Sequence, residues 1–143
     1  MKIAGSAQLP FPPERTYALM QDPAVLSHAI PGCESLERTG DGEYRMKMKM
    51  ALASFSGAFE GWVRLVEPVP PTSFRMVVEG SGKIGFMKGD GSLTLTAKDG
   101  GTEVSYAGDA QVGGTIAAVG QRLIDTTARL LIKRFFEKLA AQT

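Results

Sequence analysis

The chain has 143 residues, the size of one domain with room for a sizeable core. Sixteen Lys and Arg against fifteen Asp and Glu leave a net charge of +1, which excludes the broad basic field of a nucleic-acid binder. One Cys and one His exclude a disulfide framework and leave too little for a zinc site or a Cys–His nucleophile. Glycine, at 17, and methionine, at 7, run high instead.

Met1–Ser6 carries one charge and no apolar run long enough for a signal peptide. No window approaches the ~20 apolar residues of a membrane-spanning helix. The chain therefore reads as cytoplasmic, with peripheral contact at the inner face of a membrane left open.

In chain order, Ile3, Gly5, Ala7 and Leu9 alternate with polar or small neighbours, a strand ended by Pro10. Pro12-Pro13-Glu14 starts a short helix, with proline in the first turn and an acid at the positive dipole end. Asp22-Pro23 repeats the device and opens a second short helix to about Ala29. Ile30-Pro31-Gly32 is a turn.

From Glu34 to Val112 the dominant period is two. Tyr44, Met46, Met48, Met50 and Leu52 point one way and Arg45, Lys47 and Lys49 the other, a strand with one buried and one wet face. Phe55, Phe59, Val63 and Leu65 continue the pattern, then Phe74, Met76 and Val78 beyond Pro70-Pro71. Leu93 and Leu95, then Val104 and Tyr106, flank the Asp99-Gly100-Gly101 turn. The product is an antiparallel meander with one apolar face. On its wet face, pairing Leu52 with Phe55 sets Lys47 opposite Glu60, Arg45 opposite Trp62 and Glu43 opposite Arg64. That register gives two opposite-charge pairs and a cation over an indole, each contributing roughly 0.2–1 kcal/mol, with Ala53-Ser54 as the turn.

After Gly113-Gly114 the period becomes 3.6. Ile116, Val119, Leu123, Thr127, Leu130, Leu131, Phe135 and Leu139 mark one stripe of a helix over Thr115–Ala141, about 40 Å long. One long helix on the apolar face of an antiparallel sheet is a two-layer α+β architecture in a single domain, residues 1–143.

Chemistry-bearing residues are sparse. Gly80-Ser81-Gly82-Lys83-Ile84-Gly85 matches the dinucleotide fingerprint, but Phe86–Gly91 is no helix start and no βαβ unit surrounds it. These glycines read as strand and turn, with Phe86-Met87 between them as a mobile apolar lip. His28 closes a short helix, where a cationic side chain complements the dipole. Cys33 follows a Pro-Gly turn and reads as an inert, partly buried thiol. Asp22 caps a helix, Glu60 and Glu79 face water, and Asp90 and Asp99 lie in turns, so no carboxylate pair points inward for hydrolysis.

The inward residues carry more information. Met46, Met48 and Met76 share the apolar face with Phe59 and Phe74, and Phe86, Met87 and Tyr106 adjoin it. Leu123, Thr127 and Leu131 face them from the helix. Methionine adapts to irregular space, so this set is either a soft core or the wall of a cavity for a greasy ligand.

The order short strand, two short helices, six-strand meander, long C-terminal helix resembles the helix-grip fold of the START-like (SRPBCC) superfamily, also called Bet v 1-like. More specifically, the residues resemble the family of the G subunit of carbon monoxide dehydrogenase. The likeness lies in Pro12-Pro13-Glu14, Asp22-Pro23-Ala24-Val25-Leu26 and above all Ile30-Pro31-Gly32-Cys33-Glu34-Ser35-Leu36. Gly57-Ala58-Phe59-Glu60-Gly61, Gly80-Ser81-Gly82, Gly85-Phe86 and Val112-Gly113-Gly114 extend it over nearly the whole chain.

The resemblance implies a non-enzymatic accessory protein, without catalytic or metal-binding residues, for maturation or membrane recruitment of a molybdenum hydroxylase. It also implies a cavity suited to a lipid or quinone and no other cofactor. Family members that anchor the enzyme have a long apolar tail; this sequence stops at Thr143, so direct anchoring is not expected. Two other readings stay open at this stage. A START-like enzyme, such as a polyketide cyclase or hydrolase, needs an inward polar group, for which Tyr106, Tyr44 and Thr127 are the candidates. A protein-interaction module would use the basic helix face and the Gly80–Gly91 segment.

Overall fold

The computed structural model describes residues 1–52 and 55–142. β1 (Lys2–Leu9) leads into two short helices, α1 (Pro13–Met20) and α2 (Pro23–Ala29). Proline fixes the first turn of each, and the Asp22 carboxylate accepts the Ala24 N–H at 2.9 Å, closing an otherwise orphaned donor of α2. Six strands follow: β2 (Cys33–Gly40), β3 (Glu43–Leu52), β4 (Phe55–Val69), β5 (Ser73–Gly82), β6 (Gly85–Lys98) and β7 (Gly101–Gly113). With β1 they form one seven-stranded antiparallel sheet in the order β1-β7-β6-β5-β4-β3-β2.

The wet-face register is the expected one. Lys47 pairs with Glu60, Arg45 with Trp62, Glu43 with Arg64 and Leu52 with Phe55. Glu43 and Arg64 meet at 3.2 Å and Lys47 and Glu60 at 3.9 Å, both in solvent, where such pairs contribute at most about 1 kcal/mol. The cation over the indole differs. It is Arg64, 4.0 Å from the Trp62 ring centroid, because a residue two positions along the same strand shares its face. The proposed Ala53-Ser54 turn lies outside the described residues.

The C-terminal helix departs from expectation. Thr115–Val119 is a turn of 3-10 helix, and α3 proper runs Gln121–Ala140, about 30 Å. Gly120, at φ +99°, separates them. That left-handed backbone suits glycine and ends the first turn before α3 begins. The break resets the helical phase by about one residue. The stripe facing the sheet is therefore Ile124, Ala128, Leu131/Ile132, Phe135/Phe136 and Leu139. Leu123 and Leu130, placed inward by assuming one continuous helix, are 37% and 43% exposed, and Thr127 is half-buried off the stripe.

The core lies between the concave sheet face, α1, α2 and α3. Leu9, Met20, Leu26, Met46, Phe59, Val63, Val104 and Leu139 are its most deeply buried apolar side chains. Two threonines sit among them: Thr16 and Thr102 both donate to the Phe11 carbonyl, at 3.1 and 2.6 Å, which ties α1 to β7. Gly80–Gly91 is neither a nucleotide loop nor a mobile lip. It is the β5–β6 hairpin, turning at Lys83-Ile84, with Phe86 and Met87 hydrogen-bonded into β6 between β5 and β7.

Candidate ligand-binding cavity

A cavity of about 350 Å³ opens between α3 and the concave face of the sheet. Its wall is almost wholly carbon and sulfur. Met46 and Met48 come from β3, Met76 from β5 and Met87 from β6, placed inward by the period of two. Tyr106 closes one side, its ring stacked on Phe136 with centroids 5.4 Å apart. Leu131, Ile132 and Phe135 of α3 form the roof, and Ile30-Pro31, after α2, adds an edge.

Of the residues expected at the wall, Met46, Met48, Met76, Met87, Tyr106 and Leu131 border this space. Phe59 and Phe74 do not. They are 1% and 2% exposed and serve as packing, Phe74 edge-on to Tyr17 with centroids 5.5 Å apart. Phe86 is 39% exposed and borders a separate, more polar depression with Gln111 and Gln121. Its alternation fails because even positions of β6 face outward, whereas the odd ones, from Met87 to Leu95, face the helix. Leu123 and Thr127 miss the cavity because of the phase change at Gly120.

Sequence reasoning also missed part of the wall. Gly89 and Gly91 of β6 and Gly108 and Ala110 of β7 line the cavity beside Met76 and Val78. The cross-strand pairs Gly91–Gly108 and Gly89–Ala110 are successive on one face. The signal was available, since the alternation that singled out Met87 and Leu93 also carries Gly89 and Gly91. Attention to large inward side chains passes over positions where there is none.

The wall is electrostatically quiet. Neither Lys, Arg nor His lines the cavity among the described residues. Asp90 and Asp109 border it, but their carboxylates are engaged elsewhere: Asp90 with Arg75 at 2.6 and 2.7 Å, Asp109 with Lys2 at 3.2 Å. The Arg75 hydrogen bond holds the Asp90 carboxyl below the usual carboxylate range. Tyr17 Oη and Gln21 Nε2 are buried without a partner among the described residues, yet neither residue lines the cavity. Burial raises the Tyr17 pKa, keeping it a neutral phenol.

His28 is exposed in the last turn of α2, at the negative end of the dipole. The Cys33 thiol is half-buried and directed to the Ser35 carbonyl at 3.4 Å, with Ser27 Oγ at 3.9 Å. Desolvation pushes its pKa up, outweighing those hydrogen bonds, so it stays a thiol near neutrality. No group of three or more His, Cys, Asp or Glu could hold a metal among the described residues. No helix among them is long and apolar enough to cross a membrane.

Comparisons with known proteins bear on the family and the fold. The family model for CoxG, the G subunit of carbon monoxide dehydrogenase, matches residues 5–143. A conserved protein from Geobacillus kaustophilus is 33% identical, with a TM-score of 0.92 over 98% of this chain and 93% of its own. Protein CV1439 from Chromobacterium violaceum is 22% identical, with a TM-score of 0.72 over 98% and 95%. Ara h 8.0201 shares the fold at 14% identity, with a TM-score of 0.66 over 98% and 95%. No curated protein matches the chain.

Proposed function

The chain belongs to the CoxG family, that of the G subunit of carbon monoxide dehydrogenase, and from that premise we propose that it is an accessory protein carrying an uncharged lipophilic molecule. The carried molecule is of lipid or quinone type, and the recipient is a molybdenum hydroxylase of the carbon monoxide dehydrogenase kind, assisted in maturation or in its approach to the membrane. One observation carries the ligand-binding part: a cavity of about 350 Å³ with methionine, aliphatic and aromatic walls and, among the described residues, no Lys, Arg or His. Such a wall offers water few hydrogen-bonding partners, and a ligand gains by removing its own apolar surface from water. A buried carboxylate or ammonium would find no partner there, and an unpaired buried charge costs several kcal/mol or more.

The enzymatic alternative needs a titratable group inside the cavity with a partner that tunes it. Tyr106 is the titratable side chain on the wall whose ring faces the space, and it stacks on Phe136 rather than meeting a base. Accessory carriage is therefore the better reading.

Native purification, solvent extraction and mass spectrometry test it. The expected result is a lipophilic compound near one per chain, with uptake of neutral lipophilic probes by the stripped protein. Failure to retain or take up any such compound overturns carriage. Co-purification with a molybdenum hydroxylase tests the partner separately.

A further inference from the structure

Four neighbouring positions on the inner face of the sheet carry a single methyl group between them. Gly91 pairs with Gly108 and Gly89 with Ala110, so the four form a two-by-two block on β6 and β7. Same-face residues along a strand are about 6.8 Å apart and adjacent strands about 4.8 Å. The block thus bares a patch of peptide backbone, bounded by Met76 and Val78 on β5 and by Ile3 on β1.

Curvature accounts for only part of this bareness. A side chain at Gly108 would run into the Asp90 carbonyl and stand 2.6 Å from the Gly91 Cα, so the close approach of β6 and β7 requires glycine there. Gly89 is different. A Cβ at that position would meet nothing within 4 Å, and its backbone is ordinary extended strand. Glycine in a strand is less favourable than alanine, because it loses more backbone freedom on folding. The fold gains nothing from glycine at position 89; the cavity gains room.

Resting on the reading of this cavity as a ligand site, we infer that the Gly89–Gly91–Gly108–Ala110 floor is a slot for a flat ring, with Gly89 as the residue that sets its depth. A planar ring system lies face-down on the bare peptide planes, under the α3 roof of Leu131, Ile132 and Phe135. Met76 and Met87 stand at its edge, where thioether sulfur contacts aromatic rings favourably. A flexible alkyl chain needs no such plane. It fits the irregular space among Met46, Met48 and Val63, which leaves the slot for the rigid end of the ligand.

The test compares a neutral aromatic probe, N-phenyl-1-naphthylamine, read by fluorescence, with a purely aliphatic one, 1-dodecanol, read by titration calorimetry. The proteins are the full chain, Gly89→Val, Gly91→Ala and, on the opposite exposed face of β6, the control Thr94→Val. The slot predicts that Gly89→Val weakens the aromatic probe at least tenfold and dodecanol no more than threefold, with Thr94→Val unchanged. Gly91→Ala, whose Cβ would lie 3.3 Å from the Ala107 carbonyl oxygen, should shift the same ratio in the same direction and decides the matter if Gly89→Val does not fold. Equal loss of both probes, or none, overturns the slot while the carrier reading stands. Wild-type binding of dodecanol but not of the aromatic probe overturns the slot as well. Binding of neither probe by the wild type overturns the carrier reading itself, and the slot with it.

Discussion

Three leucines on α3 make the phase of that helix measurable. Leu139 is fully buried, Leu131 is half-buried against the cavity and Leu130 is 43% exposed. Truncation to alanine removes the same atoms each time, so differences report environment. At Leu139 the loss of transfer free energy is joined by the cost of a new void, about 2–5 kcal/mol in all. Leu131 already faces empty space, so it has fewer partner atoms to lose and leaves no new void of its own; about 1 kcal/mol is expected, half of a fully buried leucine's transfer. Leu130 should fall within about 0.5 kcal/mol of wild type. For a chain of this length each kcal/mol moves Tm by roughly 3 °C. Thermal unfolding followed by circular dichroism should then place Leu139→Ala about 6–15 °C below wild type, Leu131→Ala about 3 °C below, and Leu130→Ala within about 2 °C. Should Leu130→Ala prove as damaging as Leu139→Ala, the helix is rotated from the phase described. A Leu131→Ala loss equal to that of Leu139→Ala would show a filled core where the cavity is drawn.

Two further outcomes concern titratable groups. Asp90 is depressed by Arg75, so its contribution to stability is present above the unfolded carboxyl value near 4 and is lost as pH falls through the lower folded value. Arg75→Gln should flatten the acid limb of the stability profile below about pH 4 by a small amount, since the pair is solvent-exposed; an unchanged limb would refute the coupling. Cys33 should react with a disulfide reagent at pH 8 several-fold more slowly than an exposed thiol, and reach the full rate in denaturant. A native rate equal to the denatured one would contradict its desolvation.

The sheet was legible because alternation is a local signal, and the charges on its outer face selected one register over its neighbours. The caps of α1 and α2 were legible because proline and Asp22 act within one turn. What escaped was set by single backbone angles and by absent side chains. Hydropathy periodicity runs through Gly120 as if it were any small residue, yet a φ of +99° there ends one helix and rotates the next. That one residue moved Leu123 and Thr127 off the wall and brought Ala128, Ile132 and Phe136 onto it. Gly89 and Gly108 were hidden for the opposite reason: a pattern scored by hydrophobic bulk gives an empty position no weight. Phe59 and Phe74 shared the correct face but lie beyond the cavity's reach, a distinction that depends on depth within the core rather than on direction.

The pairing of β1 with β7 has a kinetic consequence. Strands β2 to β7 join as successive hairpins, each closing a short loop, whereas Lys2 and Asp109 meet across 107 residues. Closing a loop near a hundred residues costs about 4 kcal/mol of chain entropy, so that junction is favoured only after the meander has formed to receive it. The Ile3 side of the cavity belongs to β1, and the container is complete only after this late step. A bound molecule therefore has little to hold in the folding transition state and much to hold in the native one. Occupancy would act as a brake on opening and leave the rate of assembly untouched, visible as a shift of the unfolding limb alone in a chevron plot.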